Sequence, residues 1–156
     1  MRNPEKNADE ILWLGWREWV SLPGLGIDKI KAKIDTGART SALHAFHIET
    51  YRDNGRHKIR FSIHPLQRRL DIVKTCVAEL IDSRDVKDSG GHKERRFVIF
   101  TPIKIGDRQW SIEITLTDRD IMNFRMLLGR TAMQGSILIN PAASYLTGKP
   151  ALPKKR

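Results

Sequence analysis

Apolar and polar residues alternate with a period of two along most of this chain. Ile27-Asp-Lys-Ile30-Lys-Ala32-Lys-Ile34 is the clearest run, and that period marks a strand with one buried face. The aromatic and β-branched stretch 13–22 precedes it, and Pro23-Gly24-Leu25-Gly26 between them is a dense turn signal. The two runs therefore predict a hairpin. Strands are predicted over 42–51 and 58–63, joined by Asp53-Asn54-Gly55, where Asn and Gly accept positive φ. Further strands are predicted over 72–81, 96–105 and 110–116. Residues 82–94 are too polar for a buried face and predict a flexible excursion. Helical periodicity is nearly absent, apart from a short helix predicted over 130–134. Many short strands between turn residues predict an all-β (mainly) fold, a barrel or a sandwich, with one or two short helices. The organisation expected is a flexible arm over 1–10, one domain over 11–146 and a basic tail over 147–156.

Composition adds a bias in charge. The chain has 156 residues and a formal net charge of +10. Arg52, Arg56, Lys58, Arg60, Arg68 and Arg69 stand against one acid, Asp53, and the chain ends Lys154-Lys155-Arg156. Such a balance favours an acidic partner: nucleic acid, the ribosome or an acidic peptide. No apolar run approaches the ~20 residues of a membrane span. The first ten residues lack the apolar core of a signal peptide, so the expectation is no membrane and a cytoplasmic protein. Cys76 is the only cysteine. It excludes an intrachain disulfide and reads as a small core residue.

The candidate chemistry sits after the alternating strand, in Asp35-Thr36-Gly37-Ala38. Far downstream comes Leu127-Leu128-Gly129. An Asp-Thr-Gly turn after a strand, followed by two apolar residues and a Gly, is the pattern of an aspartic-protease half-site. That chemistry needs two carboxylates sharing a proton, one as general base on water. With a single Asp-Thr-Gly, two chains must meet to supply them. Gly37 admits a close backbone N–H to the carboxylate, and Thr36 offers a hydroxyl to tie two such loops together. Ala38 stands where a serine would give the carboxylate another hydrogen bond. Arg39 adds a cation beside Asp35. The bland alternative is a tight turn in which Asp35 bonds locally.

These residues carry a resemblance. Ile34-Asp-Thr-Gly-Ala-Arg-Thr-Ser-Ala-Leu-His-Ala45, with Leu22-Pro23-x-Leu25-Gly26-Ile27 upstream and Leu116-Thr-Asp118-Arg119 and Met126-Leu-Leu-Gly-Arg130 downstream, resembles the retropepsin-like bacterial aspartic proteases long labelled ATP-dependent zinc proteases (RimB-like). The resemblance spans roughly residues 14–142. It implies a retropepsin-like acid-protease β-barrel, a homodimer and peptide-bond hydrolysis, with Asp35 as the catalytic residue and Thr36 and Gly37 in its loop. Proteins similar to this chain often accompany a ligase that adds glutamates to a ribosomal protein. That implies a glutamate-rich substrate and a ribosomal protein as partner. Retropepsin-like proteins cover the cleft with a hairpin flap, for which 83–94, with its tip Ser89-Gly90-Gly91, is the candidate. Arg39, His44, Gly90, Gly91, Arg95 and Arg96 are then expected to meet an acidic substrate, with Arg84 beside the flap.

The zinc and ATP labels find no support in the residues. His-Glu-x-x-His is absent, and His44 and His47 are three apart on a predicted strand, so they point to opposite faces. Gly148-Lys149-Pro150 has a proline where a phosphate loop needs a hydroxyl, and no Gly-x-Ser-x-Gly occurs. No metal and no cofactor are expected. The rival readings are a non-catalytic binding module on the same fold, a nucleic-acid or ribosome-binding domain using the basic hairpin, and a zinc-dependent peptidase.

Overall fold

The computed structural model describes residues 10–66, 68–87, 90–119 and 123–148. Most of the expected arm and tail, and Ser89 of the flap tip, lie outside the described residues. The strands are β1 (Leu12–Leu14), β2 (Arg17–Leu22), β3 (Ile27–Ile34), β4 (Ser41–His44), β5 (Phe46–Asp53), β6 (Arg56–Ile63), β7 (Lys74–Lys87), β8 (Lys93–Ile105), β9 (Arg108–Thr117), β10 (Met126–Leu128) and β11 (Ile137–Ile139). Short 3₁₀ turns occupy Pro23–Leu25 and Arg130–Met133.

The predicted first hairpin is β2–β3. Its turn needs Gly26, whose φ of 71° suits a residue without Cβ. In β3 the alternation holds: Ile27, Ile30, Ala32 and Ile34 are buried while Asp28 is exposed. The large sheet runs β2-β3-β10-β4-β9-β8, and Ser21 of β2 pairs with Lys104 of β8, which closes these six strands into a barrel. Along β8 the edge away from β9 is shared. Lys104 meets β2, while Lys93–Ile99 pairs with β7, so β7, β6 and β5 peel away as an extension. Ile30, Leu43, Ile99, Ile114, Met126 and Leu128 are fully buried inside, each contributing about 1.5–3 kcal/mol by leaving water.

Three sequence expectations change. The strand expected over 42–51 breaks at the fully buried Ala45. β4 stays in the barrel while β5 leaves to pair with β6. The strand expected over 72–81 begins at Lys74 and runs on to Lys87. The flexible excursion expected over 82–94 from its polarity is instead a two-stranded arm, a hairpin as the resemblance implied for 83–94, with Asp82 to Lys87 opposite Val98 to Lys93. Its hydropathy is uninformative because a backbone ladder forms it, lined by polar side chains that pair Arg95 with Asp85, and Arg84 with Asp82 and with Glu113 of β9. Cys76 is buried opposite Phe61, and burial pushes its thiol up to about 11.

Candidate functional site

Asp35 stands at the end of β3, where the chain must turn to enter β4. Its carboxylate Oδ1 accepts the N–H of Gly37 at 3.0 Å and of Ala38 at 3.2 Å, while Ala38 N–H also lies 3.3 Å from the Asp35 carbonyl. The side chain thus closes its own turn. A Cβ on Gly37 would stand 3.3 Å from Oδ1, so glycine permits the approach.

The second motif braces this turn. β10 lies between β3 and β4, with Leu128 opposite Ile34 and Leu127 opposite Ala42. Asp35 N–H donates to the Leu128 carbonyl at 2.9 Å and Arg130 N–H to the Ala38 carbonyl at 2.7 Å. Thr131 donates to the Arg39 carbonyl through both its N–H, at 3.1 Å, and its hydroxyl, at 2.9 Å. Arg130 Nη1 reaches the Thr36 carbonyl at 3.0 Å. Gly129 N–H donates to the buried Ser41 hydroxyl at 3.0 Å, and a Cβ on Gly129 would fall 2.5 Å from the Thr40 carbonyl carbon. Leu128, Gly129, Arg130 and Thr131 each tie to residues 35–41 through a backbone group. The loop is therefore rigid at its base, with the Thr36, Gly37 and Arg39 side of it exposed.

Ser41 and Arg130 stand in the quoted motifs and Thr131 just after them, but no role was read for any of the three. Polar residues in or beside a motif give no periodic signal, and only the β10 register shows what they hold.

The remaining candidates gather at the other end of β4. His44 stands opposite Thr117 of β9, its Nε2 3.2 Å from the Asp118 carbonyl. Thr117 donates to Glu94 at 3.0 Å, and Arg96 Nε donates to the same carboxylate at 2.9 Å. Arg95 binds Ser83 and Asp85, and Arg84 binds Glu113 through both terminal nitrogens, at 2.9 and 2.8 Å. Gly90 and Gly91 sit at the arm's turn, Gly91 with a φ of 86°. In register the arm's tip lies past the His44 end of β4, whereas Asp35 precedes the Ser41 end. Arg84, Arg95 and Arg96 are thus engaged by acids of the chain itself. The exposed cations of the Asp35 loop are Arg39 and Arg130.

His44 and His47 lie on successive strands, and no group of three or more His, Cys, Asp or Glu that could hold a metal occurs among the described residues. No helix among them is long and apolar enough to cross a membrane.

Comparison with known proteins corrects the activity expected from the motif. A Shewanella pealeana protein named probable alpha-L-glutamate ligase is 40% identical over 142 residues, which are 91% of this chain and 31% of that protein. One of the same name from Desulfotalea psychrophila is 46% identical over 136 residues, 87% of this chain and 29% of that protein. The expectation of an aspartic endopeptidase, and with it the hydrolase and protease classes, is overturned by these names, which are those of ligases. The physical reason is that Asp-Thr-Gly and Leu-Leu-Gly dictate a braced turn in a barrel, and a fold does not fix a reaction. The chain spans about a third of the length of these relatives. Among solved structures, Lpg0085 of Legionella pneumophila, a protein of unknown function, matches with a TM-score of 0.71 at 27% identity, over 86% of this chain and 97% of that one. The all-β barrel is the retropepsin-like fold expected from the sequence. A family model describing the retropepsin-like aspartic endopeptidase RimB matches residues 13–150. Family description and relatives alike carry enzyme names, and the chain belongs to the RimB-like family.

Proposed function

We propose that this chain is the domain that holds the glutamate-bearing peptide in alpha-L-glutamate ligation. The observation that carries the reading is the braced Asp35 loop, which carries one carboxylate together with the exposed Arg39 and is tied at Thr36 to the exposed Arg130. A glutamate side chain offers a planar carboxylate that a guanidinium holds by two hydrogen bonds. An amino group offers N–H donors that the Asp35 carboxylate accepts. Joining a carboxylate to an amine requires an activated carboxylate. The chain has no phosphate-cradling Gly-x-x-x-x-Gly-Lys loop, and the relatives have the rest of their length for that step. The net charge of +10 draws an acidic peptide towards the loop. A glutamate-bearing ribosomal protein is a ligand of this class, and a pair of chains offers one peptide two such loops.

The test is fluorescence anisotropy with a labelled oligoglutamate peptide at low ionic strength, against oligoglutamine of equal length. Binding is expected to favour glutamate at least tenfold and to fall at least tenfold in Arg39→Ala and Arg130→Ala. Indifference to the Glu-to-Gln exchange sinks the proposal. Intact-mass spectrometry of the same mixtures supplies a second reading. Peptide shortening that disappears in Asp35→Asn would replace a holding role with a cutting one.

A further inference from the structure

β1 and β11 form a small parallel sheet outside the barrel, with Trp13 opposite Leu138. Side chains alternate across a strand. Leu14 is fully buried, and Leu12, Ile137 and Ile139 pack against the core. Trp13 and Leu138 therefore point outward together, 51% and 45% exposed, and Ile11, two residues before Trp13, is 56% exposed. Leu146, 47% exposed, joins Leu12, Trp13, Gly106 and Thr147 in lining a groove of about 720 Å³. A sheet with apolar side chains on both faces is ordinarily covered on both, and several large apolar side chains exposed on one face and at the groove beside it mark an interaction site.

The relatives indicate what covers it. The matched stretch is only 29–31% of their length. Both flanks of the domain reach this groove. Leu12 and Trp13 line one side; Leu146 and Thr147 line the other, fixed there by backbone N–H donation to the buried Glu18 carboxylate at 2.9 and 3.1 Å. On whichever side the relatives' remaining chain is attached, described residues near that flank, Leu12 and Trp13 or Leu146 and Thr147, line this groove. We infer that the Ile11–Trp13–Leu138–Leu146 face docks the glutamate-joining portion of an alpha-L-glutamate ligase, attached in the relatives and bound at the same place when it is a separate chain. The inference rests on the ligation reading above. Four large apolar side chains supply the water-excluding centre of such an interface, and polar neighbours form its rim.

The test mixes the purified chain with a full-length alpha-L-glutamate ligase that has no copy of this domain and reads complex formation by analytical ultracentrifugation. The double variant Trp13→Lys/Leu138→Glu, and separately Leu146→Arg, are expected to weaken the complex at least tenfold. Val77→Lys, on an exposed position of β7, is expected to leave it unchanged. Circular dichroism monitors folding, and the single Leu146→Arg variant keeps the test readable should the double variant unfold. Three outcomes overturn the inference: no complex with the wild-type chain, a complex indifferent to both variants, or a wild-type self-association that the same variants abolish, which makes a second copy the occupant. Oligoglutamate binding is read separately. Docking that persists when peptide binding proves absent supports this surface and sinks only the peptide reading.

Discussion

The N–H of Asp35 donates to the carbonyl of Leu128 at 2.9 Å, joining the turn after β3 to a strand formed much later in the chain. Because β10 pairs with both β3 and β4, the loop between those strands is closed at its base by residues that must already be in register. Thr115 extends the brace by donating its hydroxyl to the Ser41 carbonyl at 3.0 Å.

Gly129→Ala tests this brace. The added methyl would stand 2.5 Å from the Thr40 carbonyl carbon and 2.9 Å from Ser41 N, and both neighbours are backbone. We expect a loss of about 2–4 kcal/mol in urea unfolding, as for overpacking against groups that cannot give. Ser41→Ala, which leaves the Gly129 N–H unpaired in the interior, is expected to cost about 1–3 kcal/mol. Stability unchanged in both variants removes the brace from the account.

Glu18 is a fully buried carboxylate. It accepts N–H groups from Gly15 at 2.7 Å, Leu146 at 2.9 Å and Thr147 at 3.1 Å, and the Thr147 hydroxyl at 2.7 Å. Trp19 stacks on Tyr145 beside it. Glu18→Ala strands several donors and is expected to cost about 3 kcal/mol or more. Hydrogen exchange at Leu146 and Thr147 is expected to accelerate well beyond that in the barrel strands.

Arg84 raises a pH dependence. Its hydrogen bonds, more than any other cause, hold the Glu113 and Asp82 carboxyls below their ordinary values. Groups whose folded pKa is lowered contribute stability that is complete above their unfolded pKa, near 4, and that fades as pH falls through the folded values. Wild type should therefore lose more stability than Arg84→Met between pH 6 and pH 2. The three side chains are 38–47% exposed, so the difference is expected to be small and to shrink with added salt. Parallel pH–stability curves would remove this contribution.

Cys76 is 2% exposed, and its thiol is raised to about 11 by burial. The native chain is expected to resist a thiol-labelling reagent at pH 8 and to react fully in denaturant, since the thiolate is the reactive form. Rapid labelling of the native chain would mean that the β6–β7 extension opens readily.

How much was legible in the sequence depended on whether a segment's neighbours are local. The β2–β3 hairpin and the Asp53-Asn54-Gly55 turn were legible because their signals lie within a few residues. Two breaks were not. Ala45 is as apolar as its surroundings, so nothing in the run marks where the chain leaves the barrel. By its polarity the arm 82–94 looked like a loop, because a backbone ladder between β7 and β8, rather than a buried face, forms it.

The sequence by itself determined an all-β fold and a turn at Asp35, since period-two alternation and turn residues act over a few positions; the two landmark motifs were readable as strings, and it was their resemblance to a family that chose a barrel over a sandwich. Only the tertiary structure decided which side chains share a place. Arg39 and Arg130 come to one loop because β10 threads between β3 and β4. His44 and the arm's arginines fall at the other end of β4 because β4 is parallel to β9. Trp13 faces outward beside Leu138 because β1 and β11 pair from opposite ends of the domain. Such juxtapositions depend on strand register between distant segments, which carries no signature in local residue order.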